Sequence, residues 1–159
     1  MNGKQSAPCV FQSEDLLVKL DIMIPGTASS VLPVVQRIMY VVNEMNCAAG
    51  REFEIEQALI EALNNAIEHG CSNDPSKKVQ CCVACDQARG MLIVVRDEGP
   101  GFDPSSIPNP TLGQNIFFDG GRGIYLINQL VDEIHFEKGG TEIHMRMHPP
   151  NIAGKKDSE

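Results

Sequence analysis

The chain has no tryptophan, two tyrosines and six phenylalanines, and no long hydrophobic run in its 159 residues. No apolar stretch approaches the roughly 18 residues that a membrane-spanning helix needs, so we expect no membrane contact. The first residues also lack the basic region and the apolar segment of a signal peptide, which predicts a cytoplasmic location.

A cluster of basic residues is missing as well. Thirteen Lys and Arg residues stand against twenty-one Asp and Glu residues, which gives a formal net charge of −8. A protein that binds nucleic acid directly needs a positive surface for the phosphates, so this class is excluded. The hydrophobic content of 42% is enough for an ordinary core, and the length suits one domain.

The six cysteines show no metal-binding pattern. A structural zinc site needs four converging ligands, usually as two close pairs, and the spacing offers no second pair. Cys81, Cys82 and Cys85 lie in a stretch that alternates like a strand, which puts Cys81 and Cys85 on the same face. We therefore expect buried free thiols, which fits a reducing compartment.

Hydrophobic spacing predicts an α+β fold, in the order strand, helix, helix, two strands, a long glycine- and proline-rich segment, a helix and two strands. The predicted strands are Asp15–Ile24, Lys77–Asp86, Met91–Asp97, Glu133–Glu137 and Thr141–Met147, and the predicted helices are Ser29–Asn46, Arg51–His69 and Gly123–Leu130. This order forms a two-layer sandwich, with a mixed, mostly antiparallel sheet and helices on one face. We expect one domain over residues 13–148, between flexible tails at 1–12 and 149–159.

The second predicted helix carries a polar face close to its end at Gly70, a residue suited to the C′ position of a helix. Glu61, Asn65 and Glu68 are three or four residues apart and share one side of the helix. Helical spacing alone leaves two interpretations open. The face is either a solvated surface, or a carboxylate and an amide oxygen directed at one small charged ligand.

Two glycine-rich turns follow. The strand that ends at Asp97 runs into Gly99 and Gly101, which would let the backbone pass close to a flat ligand or simply form a capped turn. Further on, Gly121 and Gly123 lead into the third predicted helix, where free backbone N–H groups favour phosphate. Neither turn has the spacing of a P-loop or of a Rossmann fingerprint.

Taken together in this order, the E-x-x-x-N helix, the D-x-G-x-G turn, the long segment and the G-x-G helix start resemble the ATP-binding domain of the GHKL superfamily. The resemblance runs from about Asp15 to Met147. It is strongest toward the anti-sigma-factor serine/threonine kinases, in the stretches from Asn65 to Gly70 and from Gly121 to Ile124.

The resemblance implies a site for ATP and Mg²⁺. Asn65 would hold Mg²⁺ through its side-chain oxygen, and Glu61 would be the catalytic base for the attacking hydroxyl group. Asp97 would accept a hydrogen bond from the adenine amino group. The other implied ATP-binding residues are Gly99, Gly101, Gly121, Arg122, Gly123 and Thr141, and residues 102–120 would form the lid.

The resemblance also implies partners, namely a sigma factor and a STAS-domain anti-anti-sigma protein that the kinase phosphorylates, and it raises the expectation of a homodimer. Two alternatives stay open. Phe118 and Asp119 stand where some kinases of the family place an arginine, so the chain could bind ATP and sequester a partner without phosphotransfer. It could also act as a histidine-kinase-like catalytic module on a separate acceptor.

Overall fold

A computed structural model describes residues 16–48, 50–86, 88–100 and 126–149. Its strands are β1 (Leu16–Pro25), β2 (Lys78–Asp86), β3 (Gly90–Asp97), β4 (Glu133–Glu137) and β5 (Glu142–Met147), and its long helices are α1 (Val31–Glu44) and α2 (Glu52–Asn65). Residues 126–130 are also helical. The element order and the α+β class predicted from the sequence are confirmed.

The five strands form one sheet in the order β1-β2-β3-β5-β4. Every pairing among the described strands is antiparallel, so no parallel pair of the expected mixed sheet occurs in this part of the chain. β3 lies at the centre, between β2 and β5, and its residues from Met91 to Val95 are all buried. Ile93 and Val95 belong to the main core, whereas Leu92 and Val94 belong to a smaller cluster with Cys82 and Ala84.

The two long helices cover one face of the sheet. α1 buries one stripe at helical spacing, made of Val31, Val34, Val35, Ile38, Met39 and Val42. α2 buries Ile55, Ala58, Leu59, Ala62 and Leu63, and both stripes join the inward residues of the strands in one core. Pro33 lies in the first turn of α1, where its missing N–H breaks no helical hydrogen bond.

The expectation of free thiols is wrong for two cysteines. Cys47 and Cys85 form a disulfide that joins the turn between the long helices to the end of β2, across 38 residues of sequence. Strand alternation put Cys85 on the same face as Cys81, but it contains no information about a partner so far away in the sequence. Cys71, Cys81 and Cys82 are buried thiols, as expected.

Several predicted features lie outside the described residues: the tail at 1–12, the tail at 149–159 except Pro149, the lid at 102–120, and the start of the third helix. Among the residues that the structure does describe, no helix is long and apolar enough to cross a membrane.

Candidate functional site

The end of α2 is wider than an α-helix. Residues Ala66–Gly70 form a π-helical turn, and the Cys71 N–H donates to the Ala66 carbonyl at 2.9 Å. The π turn ends at Gly70, and Ser72 and Asn73 in the turn that follows have positive φ angles of 52° and 58°. The sequence predicted a helix cap at Gly70, but Gly70 is absent from the positive-φ positions. The requirement for glycine at this position therefore has another cause. π turns of this kind are frequent at functional sites.

That cause is the close approach of Gly70 to the end of β3. A Cβ atom on Gly70 would overlap the carboxylate of Asp97. A Cβ atom on Gly99 would overlap the backbone carbonyl of Gly70. Both glycines are therefore required by packing, and they bring the end of α2 against the D-x-G turn, two segments that are separate in the sequence.

Asp97 is held by its backbone and by one of its carboxylate oxygens. Its N–H donates to the Thr141 carbonyl at 2.9 Å, and its Oδ1 accepts from the Gly99 N–H at 2.8 Å. Burial raises the pKa of Asp97, while the Gly99 N–H and the charge of Lys77 act in the opposite direction. Oδ2 accepts no hydrogen bond within the described part of the chain. This oxygen is the natural acceptor for a ligand N–H.

Thr141 lies beside Asp97, directly before β5, but its hydroxyl group is engaged elsewhere. Thr141 Oγ1 donates to the Lys138 carbonyl at 3.0 Å, within the turn between the last two strands. Its contribution to this site is its carbonyl oxygen, which fixes the backbone of Asp97. The hydroxyl oxygen keeps its lone pairs available to an incoming donor.

Glu61 and Asn65 lie one turn apart in the last part of α2, and both are partly exposed. Asn65 precedes Gly70 by five residues, which is roughly 7 Å of helix. Burial, and then the negative charge of Glu68, raise the pKa of Glu61. A carboxyl group with a raised pKa holds a proton more strongly, which suits a general base.

The donor set at the end of α2 fits Mg²⁺ in the way nucleotide sites hold it. Mg²⁺ prefers oxygen ligands and is usually bound through one or two protein groups together with substrate phosphates. Asn65 offers an amide oxygen for this purpose, and Glu61, one turn earlier in α2, keeps its carboxylate available for another role. Over the residues with described positions, no group of three or more His, Cys, Asp or Glu side chains could hold a metal ion alone.

The structure adds two residues to the site that the sequence reasoning missed. The charge of Lys77 opposes part of the rise in the pKa of Asp97. Cys71 is buried, and burial and then the charge of Asp97 raise the pKa of its thiol. No motif marks either position: Cys71 directly follows the π turn, and Lys77 directly precedes β2. The predicted residues Gly101, Gly121, Arg122 and Gly123 lie outside the described residues.

Comparison with known proteins defines the class. The family model described as "Histidine kinase-like ATPase domain" matches residues 24–147, which is most of the chain. The chain therefore belongs to the histidine kinase-like ATPase family, in agreement with the GHKL resemblance read from the sequence.

The chain is also similar to one curated protein and one solved structure. It is 30% identical to the anti-sigma F factor of Geobacillus kaustophilus (strain HTA426), over 60% of this chain and 68% of that protein. It matches the crystal structure of the RsbU and RsbW domains of Rv1364c from Mycobacterium tuberculosis, with 20% identity and a TM-score of 0.53. That match covers 83% of this chain and 32% of the other, so this chain spans about a third of its length, and the likeness shows the fold.

Proposed function

We propose that the protein is a Mg-ATP-dependent serine/threonine kinase of the anti-sigma type, which holds a sigma factor and phosphorylates a STAS-domain anti-anti-sigma protein. The observation that carries the proposal is the contact between Gly70, Asp97 and Gly99. It brings a carboxylate with an open acceptor oxygen next to the helix end that offers Glu61 and Asn65. The similarity to an anti-sigma F factor supports the partners.

Each described residue has a separate task in this proposal. Asp97 Oδ2 accepts a hydrogen bond from the exocyclic amino group of adenine, and the glycine at position 99 leaves room for the flat base. Asn65 supplies an oxygen to Mg²⁺, which neutralises phosphate charge when it is bound. Glu61 takes the proton of the serine or threonine hydroxyl group as that oxygen attacks.

The nucleotide part is tested by calorimetric titration of ATP with and without Mg²⁺. The proposal predicts binding that requires Mg²⁺ and that Asn65→Ala weakens by at least about tenfold, a loss of about 1.4 kcal/mol. Asn64→Ala is the matched control, because the adjacent amide lies on another side of α2. Equal affinity of the two variants would remove Asn65 from the metal site.

The kinase part needs labelled phosphate transferred from ATP to a co-purified STAS protein. Glu61→Gln should slow transfer by roughly 10²–10⁴-fold while ATP affinity stays nearly the same. Glu56→Gln, another partly exposed carboxyl group of α2, is the control. The phosphate on the acceptor should be acid-stable; acid-labile phosphate would instead indicate a histidine-kinase-like module.

A second candidate function is ATP binding with sequestration of a partner and no phosphotransfer. It is favoured by the sequence ahead of Gly120, where Phe118 and Asp119 provide no cation for the γ-phosphate. Normal Mg-ATP binding with no detectable phosphate on any STAS partner would select this candidate over the kinase.

A further inference from the structure

A cavity of about 510 Å³ lies at the end of the sheet opposite Asp97. Its apolar wall includes Leu17, Met91 and Met147, and both sulfur-bearing residues of the disulfide, Cys47 and Cys85, also line it. Cavities of this volume accommodate small organic molecules. A disulfide exposed to such a space is accessible to small reagents in a way that a disulfide within a packed core is not.

The two half-cystines differ in access. Cys85 is 4% exposed at the end of β2, whereas Cys47 is partly exposed, and its Sγ lies 3.9 Å from the Met45 carbonyl at the surface. An attacking thiolate must approach one sulfur along the S–S axis, so access decides which sulfur it meets. Cys47 Sγ is therefore the sulfur that a thiolate in the cavity would attack.

The disulfide is next to the residues that hold the start of α2. The Cys47 N–H donates to the Val42 carbonyl, and the Arg51 N–H donates to the Ala48 carbonyl, both at 2.9 Å. Arg51, at the N-cap of α2, also donates to Asp132 Oδ2 at 2.9 Å and to the Leu130 carbonyl at 3.1 Å. A change in the disulfide therefore acts on the junction that fixes the first turn of α2.

We propose that Cys47–Cys85 is a reversible thiol–disulfide exchange site, entered by a small-molecule thiol through this cavity, whose redox state sets how firmly the start of α2 is held. This inference concerns the end of the domain away from the nucleotide and does not depend on the proposed kinase activity.

The exchange balances with a monothiol such as glutathione as the named reductant. Its thiolate forms a bond to Cys47 Sγ, the S–S bond breaks, and Cys85 leaves as a thiolate and takes up a proton. A second thiolate attacks the small-molecule sulfur of this mixed disulfide, and Cys47 leaves and is protonated. The protein gains two electrons and two protons, and two thiols become one low-molecular-weight disulfide.

The first test is reduction of the native, full-length protein with glutathione, followed by alkylation and mass spectrometry. We expect alkylation of Cys47 and Cys85 without denaturant, while the buried thiols Cys71, Cys81 and Cys82 stay unmodified. Reduction that occurs only at the rate of global unfolding, or only in denaturant, would overturn the proposal and leave a purely structural bond.

The route is tested by a pair of variants on β1. Leu17→Trp places a large side chain at the cavity wall and should slow reduction by about tenfold, since the exchange rate depends on access. Met23→Trp is the matched control, because Met23 is 55% exposed on the same strand and does not line the cavity. Equal rates in the two variants would show that the thiol does not enter here.

The effect on α2 is measured by amide hydrogen exchange. Reduction should accelerate exchange at Arg51 and at Ile55, whose N–H donates to the Arg51 carbonyl at 3.0 Å, and should leave β3 unchanged. Cys47→Ser with Cys85→Ser should reproduce this pattern regardless of glutathione, and should lower the thermal midpoint by about 10 °C. Unchanged exchange at both amides would contradict the proposed coupling.

Discussion

The two ends of the sheet have opposite physical character. The site end, formed by Gly70, Asp97, Gly99 and Thr141, is separated from the junction end, formed by Cys47–Cys85, Arg51 and Asp132, by the length of β3, roughly 25 Å. At the site end, burial raises the pKa of Asp97, and one carboxylate oxygen accepts no hydrogen bond within the described chain. At the junction end, burial acts to raise the pKa of Asp132, but the hydrogen bonds from the His148 N–H and from Arg51 outweigh it. The pKa of Asp132 is therefore below its ordinary value.

The two ends also differ in how they affect the stability of the fold. The junction end satisfies its carboxylate, with Asp132 Oδ2 accepting from Arg51 at 2.9 Å and from the His148 N–H at 2.6 Å, and adds a covalent link. The site end keeps a partly buried, incompletely satisfied carboxylate that costs free energy without a ligand. Functional sites commonly carry such costs, and the rest of the structure compensates for them.

The largest expected effect is steric and belongs to the site end. Gly99→Ala places a Cβ atom on the Gly70 carbonyl, a backbone group that cannot move cheaply, and should lower the free energy of unfolding by about 3 kcal/mol. Gly139→Asn is the matched control, since Gly139 has φ +67° and open space around it, which asparagine tolerates. Similar losses for both variants in denaturant unfolding would contradict the close approach.

The next largest effect is that two isosteric Asp→Asn substitutions should change the free energy of unfolding in opposite directions. Asp132→Asn removes a charge that accepts two hydrogen bonds and should lower the free energy of unfolding at neutral pH by about 1 kcal/mol. Asp97→Asn relieves the cost of a buried charge while keeping the acceptor for the Gly99 N–H, so it should raise the free energy of unfolding by about 0.5 kcal/mol. A loss of stability in both variants would make the site end an ordinary structural contact.

A smaller expected effect is that the two carboxylates change the free energy of unfolding with pH in opposite ways. The pKa of Asp97 is raised in the folded state. Its contribution to the free energy of unfolding therefore falls as pH rises from the ordinary pKa of 3.8 through the folded pKa, and it is unfavourable at higher pH. The folded pKa of Asp132 is lowered, so its stabilisation is present above 3.8 and is lost as pH falls through the folded value. Unfolding of the two Asn variants at neutral and acidic pH should therefore deviate from the wild type in opposite directions.

Periodicity was enough to predict the fold, and the site in part. The stripe of α1 and the alternation of β2 follow from local spacing, so both elements appear within a few residues of their predicted bounds. Asp97 and Gly99 are candidates from the sequence because a carboxylate and a glycine at a strand end form a local pattern. The role of Gly70 was not found, because a glycine at a helix end predicts a cap equally well, and only the tertiary contact distinguishes the two.

The Cys47–Cys85 disulfide was missed for a related reason. Its two residues are 38 apart in sequence, and their meeting depends on how the α1–α2 turn lies against the end of β2. The pairing of Arg51 with Asp132 is likewise long-range and leaves no periodic signal. Contacts of this kind follow from the assembled sheet and helices, which local spacing does not encode.

The most direct measurement is a calorimetric titration of Mg-ATP into the wild type, Asp97→Asn and Asp132→Asn. In Asp97→Asn the Gly99 N–H fixes the amide oxygen, so the other position becomes an NH₂ donor that would face the amino group of adenine in the proposed site. We expect a loss of affinity of about 100-fold for Asp97→Asn, or about 2.7 kcal/mol, and a change of less than about twofold for Asp132→Asn. Undiminished ATP affinity in Asp97→Asn would contradict the placement of the nucleotide at the Gly70–Asp97–Gly99 contact.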